Sequence, residues 1–224
     1  MNKEKISPTK KRKEREKEKR REEIIEVAER LFLSQGFEDT TMDQIANKAE
    51  FSKGTLYNYF ESKDDLYLTI GVKAYDFLIE ITNEFIQKQK PGLQQIMAIG
   101  YAYYEFTKKY PNYAFIFRDL GYKFMRINLK PENELSLSEK DYLMQSNLYR
   151  EIFMQVLNEA IQIKAIRDDI RPIMIGVTLS SLTSGLIREL LNREEFLNQL
   201  NLNNDEIIDF VFETIAEGLK PRSN

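Results

Sequence analysis

Thr41-Met42-Asp43-Gln44-Ile45-Ala46, then Ser52-Lys53-Gly54-Thr55-Leu56-Tyr57-Asn58-Tyr59-Phe60, then Ser62-Lys63: three short segments in a row each open on a hydroxyl residue. Thr41 and Gln44 have the spacing of a capping box. The hydroxyl accepts from the backbone N–H three residues on, and the Gln side chain reaches back to the cap. Ile45, Ala46 and Ala49 give that helix a small apolar face. Ser52 caps a second helix through Phe60, and only Glu50 and Phe51 separate the two. Short helices joined by so tight a turn form a helix-turn-helix. Leu56 and Phe60 stand one turn apart and are expected to point inward. Ser62 caps a third helix, with Asp64 and Asp65 in its first turn, where negative charge is favoured.

Upstream, strong helix formers run from about Lys10 to Ser34. Ile24, Ala28 and Leu31, with Ile25 and Phe32, put an apolar stripe on the second half of this helix. Gly36 suits its C-terminal end. The first half has no stripe and is expected to project into solvent, while residues 1–9, with Pro8 as punctuation, read as disordered. Residues 1–21 form a basic arm of eleven Lys/Arg against four Glu, a net +7 on a chain of formal charge −3. A basic end on an acidic body suggests an anionic partner, although a solvated, highly charged helix start accounts for it equally well.

The run Ile24 to Ala46, continued through Ser52–Phe60 to Ser62-Lys63, resembles the DNA-binding domain of the TetR family of regulators over about residues 22–66. The resemblance implies an all-α chain: an N-terminal three-helix helix-turn-helix DNA-binding domain at 22–66, followed by a helical bundle at 67–224 for effector binding and dimerisation. One position departs from the family pattern. Glu50 stands where the family usually has Gly, so a slightly altered turn is expected at a cost of about 1 kcal/mol. The residues themselves suit duplex DNA. A helix fits the major groove and offers its N-terminal residues to the base edges. Lys53 is placed for a phosphate or guanine edge, Gly54 permits close approach, and Thr55 can hydrogen-bond or touch a thymine methyl. Ser52 and Thr41 cap their helices, and the helix N-terminus at Thr41 can hold a phosphate. The resemblance puts Tyr57 and Tyr59 on phosphates or bases with Asn58 near them, and makes Lys63 another phosphate contact. Without it, Tyr57 and Tyr59 would read as half-buried aromatics.

Downstream the pattern stays helical, giving about nine or ten helices in all and no strand alternation. Leu66, Ile70, Ala74, Phe77, Ile81 and Phe85 stripe a helix to about Gln89. Pro91-Gly92 and Pro111 divide the following segments, and further helices are expected at about 138–165, 172–193 and 204–219. Ten aromatics, including Tyr122 and Phe124, crowd residues 101–125, where a 12% average would place about three. Ligand pockets are mostly apolar and aromatic with few polar groups. A site for a small apolar or aromatic effector is therefore expected around Tyr101, Tyr104, Phe117, Arg118, Tyr149 and Phe153, although each alone also suits a core. Arg118 can pair an acidic effector or lie along the surface. The last two long helices offer Leu182, Gly185 and Leu186, and Ile208, Val211, Phe212 and Ile215, as a homodimer interface; the resemblance implies a four-helix bundle there. A two-fold dimer presents two recognition helices to a near-palindrome.

With no Cys and no His, the chain has no disulfide, no thiolate or imidazole metal site, and no His-dependent catalytic machinery. Its nine Gly form no phosphate-binding loop, so no catalytic residue, metal or cofactor is assigned and no enzyme is expected. No run reads as a bilayer span of about 20 apolar residues, and the charged N-terminus is not a signal peptide. A cytoplasmic protein without a membrane partner is expected. The resemblance implies a ligand-responsive regulator, most commonly a repressor, released from a palindromic operator by its effector. The alternative is a helical adaptor that binds nucleic acid or anionic membrane non-specifically through the arm.

Overall fold

The computed structural model describes residues 8–123 and 127–221, with the backbone alone at Pro8, Thr9 and Tyr122. The expectations for residues 1–7, the Tyr122 side chain and Phe124 lie outside the described residues. Within them are ten α-helices and no strand: α1 Pro8–Asp39, α2 Met42–Lys48, α3 Lys53–Tyr57, α4 Lys63–Gln87, α5 Leu93–Lys109, α6 Pro111–Lys123, α7 Leu137–Gln162, α8 Pro172–Asn192, α9 Glu194–Gln199 and α10 Asn204–Leu219. Between α6 and α7 lie two short 3-10 turns, Ile127–Leu129 and Glu132–Glu134. The helix expected to begin near Lys10 begins at Pro8. α9 was not anticipated; it is a single short helix set off where Arg193 leaves helical geometry (φ −117, ψ 13).

The chain divides into two compact units, Met1–Lys73 with Phe115–Leu143, and Ala74–Ala114 with Met144–Asn224. This differs from a boundary at residue 66, and side-chain pairing gives the reason. Early α4 and late α6 are tied to the first three helices. The Tyr67 hydroxyl donates to Asp119 at 2.7 Å, Lys73 pairs with Glu22 at 2.6 Å, and Lys123 pairs with Glu38. Phe32, Phe37 and Tyr67 pack ring on ring with centroids 4.7–5.5 Å apart. Gly71 of α4 lets Leu120 of α6 approach closely, because a Cβ there would fall 2.2 Å from it. Ile24, Ile25, Ala28, Ile45, Leu56, Phe60, Leu66 and Ile70 complete a core removed from water.

In the second unit, Ile96 and Ile99 of α5, Val156 and Leu157 of α7, Ile175 and Leu179 of α8 and Leu219 of α10 share one apolar cluster. A second joins Tyr104 to Ile187, Leu190, Ile208 and Phe212. Burial of aliphatic and aromatic area at about 25 cal/mol per Å2 is the main stabilising term in such a unit. α8 is amphipathic in an unusual sense. Its inner face is buried, while Ile173, Met174, Val177 and Leu182 lie exposed. By length and composition alone it is long and apolar enough to cross a membrane. The expectation of no such stretch is corrected on that count: scattered Ser, Thr and Gly disguise an apolar helix in which Arg188 and Glu189 stand only near the end.

Candidate functional site

The helix-turn-helix is held by local bonds that the sequence spells out. Thr41 Oγ1 accepts from the Gln44 N–H at 3.2 Å, and Gln44 Oε1 accepts from the Thr41 N–H at 2.8 Å. Ser52 Oγ accepts from the Thr55 N–H at 3.1 Å and shares a 2.8 Å hydroxyl contact with Thr55. Ser62 caps α4 by accepting from the Asp65 N–H at 3.0 Å. Between α2 and α3, the Phe51 N–H donates to the Ala46 carbonyl at 2.9 Å and the Glu50 N–H to the Asn47 carbonyl at 3.3 Å. This is the Schellman pattern, with Glu50 in the left-handed position at φ 58. The turn is therefore kept, and Glu50 carries the strain that a Gly would not.

Leu56 and Phe60 are buried at 0% and 1% exposure, which fixes the opposite face of α3 toward solvent. On that face lie Ser52, Lys53, Gly54 and Asn58, with Tyr57 45% exposed and Thr55 and Tyr59 half-buried. A Cβ at Gly54 would meet only Ser52 Oγ, at 3.9 Å, so nothing in the chain itself requires glycine there. Two lysines are engaged. Lys53 pairs with Asp43 across the motif at 2.7 Å, and that hydrogen bond and charge hold its ammonium above the ordinary lysine range. Lys63 turns inward. Its ammonium donates to the carbonyls of Phe37 at 2.7 Å, Glu38 at 3.2 Å and Thr40 at 2.8 Å, and lies 4.2 Å from the centre of the Phe37 ring. The phosphate role expected for Lys63 meets a side chain already spent on the end of α1.

The expected effector residues fall in different units. Phe117 and Arg118 belong to the first, both half-buried, with the Arg118 guanidinium 5.4 Å from the Phe115 ring centre. Tyr101, Tyr104, Tyr149 and Phe153 belong to the second. Tyr101 donates to Asp209 at 2.7 Å and meets Phe212 edge-on at 4.8 Å, so it serves the packing of α5 on α10. Burial, then a hydrogen bond to Asp205, pushes the Tyr104 hydroxyl up to about 12. Of the other crowded aromatics, Phe106 is fully buried, and Tyr110 and Tyr113 pack on Phe77 at 4.3 and 4.9 Å. Much of the aromatic surplus is thus core. Tyr149 differs: its hydroxyl end is enclosed while its ring reaches the surface, and burial raises it above the ordinary tyrosine range. Beside it, Thr82 Oγ1 is buried with no hydrogen-bond partner, as is Gln145 Oε1. These two were missed, since a lone Thr or Gln on a helix gives no sequence signal.

On the expected dimer face, Ile208 and Phe212 are 1% and 3% exposed within their own unit. They are used up against α5, where a Cβ at Gly100 would sit 2.6 Å from the Phe212 ring. Val211, Ile215 and Leu186 are half-buried. Leu182 and Phe210 remain exposed at 50% and 69%, and a Cβ at Gly185 would meet nothing within 4 Å.

Residues 24–70 match the profile of bacterial regulatory proteins of the tetR family. The helix-turn-helix segment is that of the TetR family. Among its relatives is the transcriptional regulator HbdR of Aromatoleum sp. (strain CIB), 50% identical over 54 residues, or 24% of each chain. YerO of Bacillus subtilis, an uncharacterized regulator, is 27% identical over 210 residues, covering 88% of this chain and 64% of its own length. The match thus spans less than two thirds of either curated relative. The solved structure of the ketosteroid transcriptional regulator KstR2 of Mycobacterium tuberculosis superposes with a TM-score of 0.63 at 18% identity. That likeness covers 91% of this chain and 96% of KstR2, and it establishes a common fold.

Proposed function

We propose that this chain is a ligand-responsive transcriptional regulator, acting as a repressor, that binds a palindromic operator as a homodimer. The observation that carries the reading is the exposed face of α3. Two caps and two buried anchors hold it rigid, and it offers Gly54, Thr55, Tyr57, Asn58 and Tyr59 outward. Hydrogen-bonding groups at a helix N-terminus that admits close approach, with aromatic groups at its other end, are what base-edge and phosphate contact requires. Thr41, Ser52 and Lys53 flank that face, with Lys53 exchanging Asp43 for a phosphate on binding. Lys63 is left to its capping role.

The homodimer is supported by the unpartnered outer face of α8. Ile173, Met174, Val177 and Leu182 recur at helical spacing, and Phe210 of α10 adds to them. Exposed apolar area of that extent marks an interaction surface. Leu182, Gly185, Leu186, Val211 and Ile215 lie at or beside this face, whereas Ile208 and Phe212 support it from within. The effector is an apolar or aromatic molecule bound in the second unit, and the ketosteroid in KstR2's name is consistent with that class. Binding shifts α4, which leads directly out of the helix-turn-helix, so that the paired recognition helices lose their match to successive major grooves. A ligand does this only by binding the two states with different affinity, typically by about 1–3 kcal/mol.

The test is selection of bound fragments from random duplex DNA, with Tyr57→Ala run in parallel. An inverted repeat enriched by the intact chain and lost in the variant supports the regulator. Salt-sensitive binding without an enriched motif, equal in both, would replace it with an adaptor working through the basic arm.

A further inference from the structure

We propose that the second unit receives an uncharged, largely apolar ligand bearing a hydroxyl or N–H donor, and that Thr82, Gln145 and Tyr149 are the groups that hold it. The inference rests on the effector reading above and gives the effector its chemistry.

Thr82 on α4 is 0% exposed, and its hydroxyl has no hydrogen-bond partner. Helical threonines ordinarily return the hydroxyl to a carbonyl one turn back. Three others here do so: Thr69 to Asp65 at 3.0 Å, Thr107 to Tyr104 at 2.7 Å and Thr214 to Phe210 at 2.8 Å. Thr82 does not. Gln145 Oε1 on α7 is likewise buried and unpaired. The two are brought to one seam by Tyr149, one turn beyond Gln145 on the same face of α7, about 6 Å along the axis. The Tyr149 hydroxyl lies beside Thr82, and its ring stands 6.3 Å from that of Tyr75, two turns before Thr82 on α4. Phe153 continues the same face of α7 and leads into the apolar cluster.

Unpaired buried polar atoms weaken a fold, and native chains keep few of them. A valine would fill the place of Thr82 without that cost. Two such atoms on facing helices, beside an enclosed tyrosine hydroxyl, therefore mark where an incoming polar group is met. The chemistry of the atoms sets the ligand. An amide oxygen only accepts, so the ligand must donate at Gln145; hydroxyls at Thr82 and Tyr149 either give or take. Charge is excluded by the surroundings. Among the described residues of this unit no Asp, Glu, Lys or Arg is buried, so an ion here would have no counter-charge.

The experiment is calorimetric titration of the full-length protein with three matched probes: 4-butylphenol, 4-butylbenzoate and 4-butylbenzylammonium. The phenol is expected to bind, and the two ions at least a hundredfold more weakly. Thr82→Val is expected to raise the melting temperature of the ligand-free protein while weakening the phenol about five- to tenfold, and Gln145→Leu to weaken it comparably. Equal binding of either ion overturns the proposal. So does a Thr82→Val chain that melts lower and binds the phenol unchanged, or a wild-type chain that gives no binding heat up to the solubility of the phenol. Release of the selected DNA is scored separately. A phenol that binds as expected but leaves DNA bound keeps this site and retires the effector reading. A different compound that releases DNA equally from wild type and Thr82→Val keeps the effector reading and retires this site.

Discussion

Replacing Lys63 by methionine keeps the length and apolar stem of the side chain and removes only the ammonium. That group closes the end of α1 by donating to the carbonyls of Phe37, Glu38 and Thr40 at 2.7, 3.2 and 2.8 Å. A hydrogen bond to a charged group contributes about 1.5–3 kcal/mol, but the three do not add. Glu38 is exposed, so water replaces the ammonium at its carbonyl, and the 3.2 Å bond is the longest. Thr40 is 0% exposed, and Phe37 is 9% exposed, so their carbonyls are rehydrated poorly. The cation–π contact over Phe37 contributes less than its usual 0.5–1 kcal/mol. Lys123 still covers the same ring at 3.7 Å, and removing one of two neighbouring ammoniums relieves repulsion. The expected loss is about 2–3 kcal/mol, close to the two short bonds at the low end of their range. Urea unfolding followed by circular dichroism measures it. Duplex binding, measured on the folded variant, should keep its salt slope, because no phosphate contact is lost. A variant within about 0.5 kcal/mol of wild type, whose salt slope drops by about one, would refute the reasoning. It would return Lys63 to the phosphate.

Glu50→Gly should stabilise the chain by about 0.5–1 kcal/mol: a left-handed L residue costs about 1–2 kcal/mol, and glycine gives back part of that in the unfolded state. A thermal scan checks it, and a lower melting temperature would mean that the Glu50 side chain contributes a contact of its own. Tyr104, whose hydroxyl burial and Asp205 push up to about 12, contributes stability that is whole below the unfolded value near 10 and is lost as pH rises toward 12. Tyr104→Phe should therefore show a shallower alkaline loss over that window, and an unchanged curve would locate the loss in other tyrosines. Deleting residues 2–19 should weaken duplex binding for all sequences and flatten the salt slope by about 0.9 for each phosphate contact removed; an unchanged slope would mean the arm makes none.

What the sequence made legible was local. Thr41 with Gln44, Ser52 with Thr55, and Ser62 with Asp65 are three-residue relations, and each cap formed where its spacing placed it. Leu56 and Phe60 could be assigned inward from one helical turn. What local pattern left open is mostly a matter of partners far along the chain. Lys63 was expected at a phosphate, and the carbonyls it meets lie more than twenty residues upstream. Ile208 and Phe212 shared an apolar arc with Val211 and Ile215, and periodicity alone does not say which part of an arc meets α5. Thr82 and Gln145 stood out only once neighbours failed to pair them. The aromatic surplus at 101–125 marked a densely packed region, but density of rings did not separate core from cavity.

The placement of cations divides labour within the regulator. In the head, Lys53 is tied to Asp43, Lys63 is committed to carbonyls, and Arg21 lies 5.3 Å from the centre of the Phe60 ring with Glu18 and Glu22 nearby. Residues 22–65 hold only four Lys/Arg against eleven Asp/Glu. A head so acidic supplies little of the sequence-independent attraction on which duplex affinity depends. Residues 10–20, by contrast, are exposed throughout and run as the first turns of α1, a basic rod rising about 1.5 Å per residue from the head. Their ion pairs lie at the surface, Arg12 with Glu16 at 2.8 Å and Lys19 with Glu23 at 3.8 Å, where water competes and the cations are released cheaply to a phosphate. On the proposed reading the face of α3 sets which sequence is held, and the arm sets how tightly. Salt should act on the second without changing the first, so raising ionic strength ought to lower affinity for every duplex by a similar factor and leave the preferred half-site unaltered.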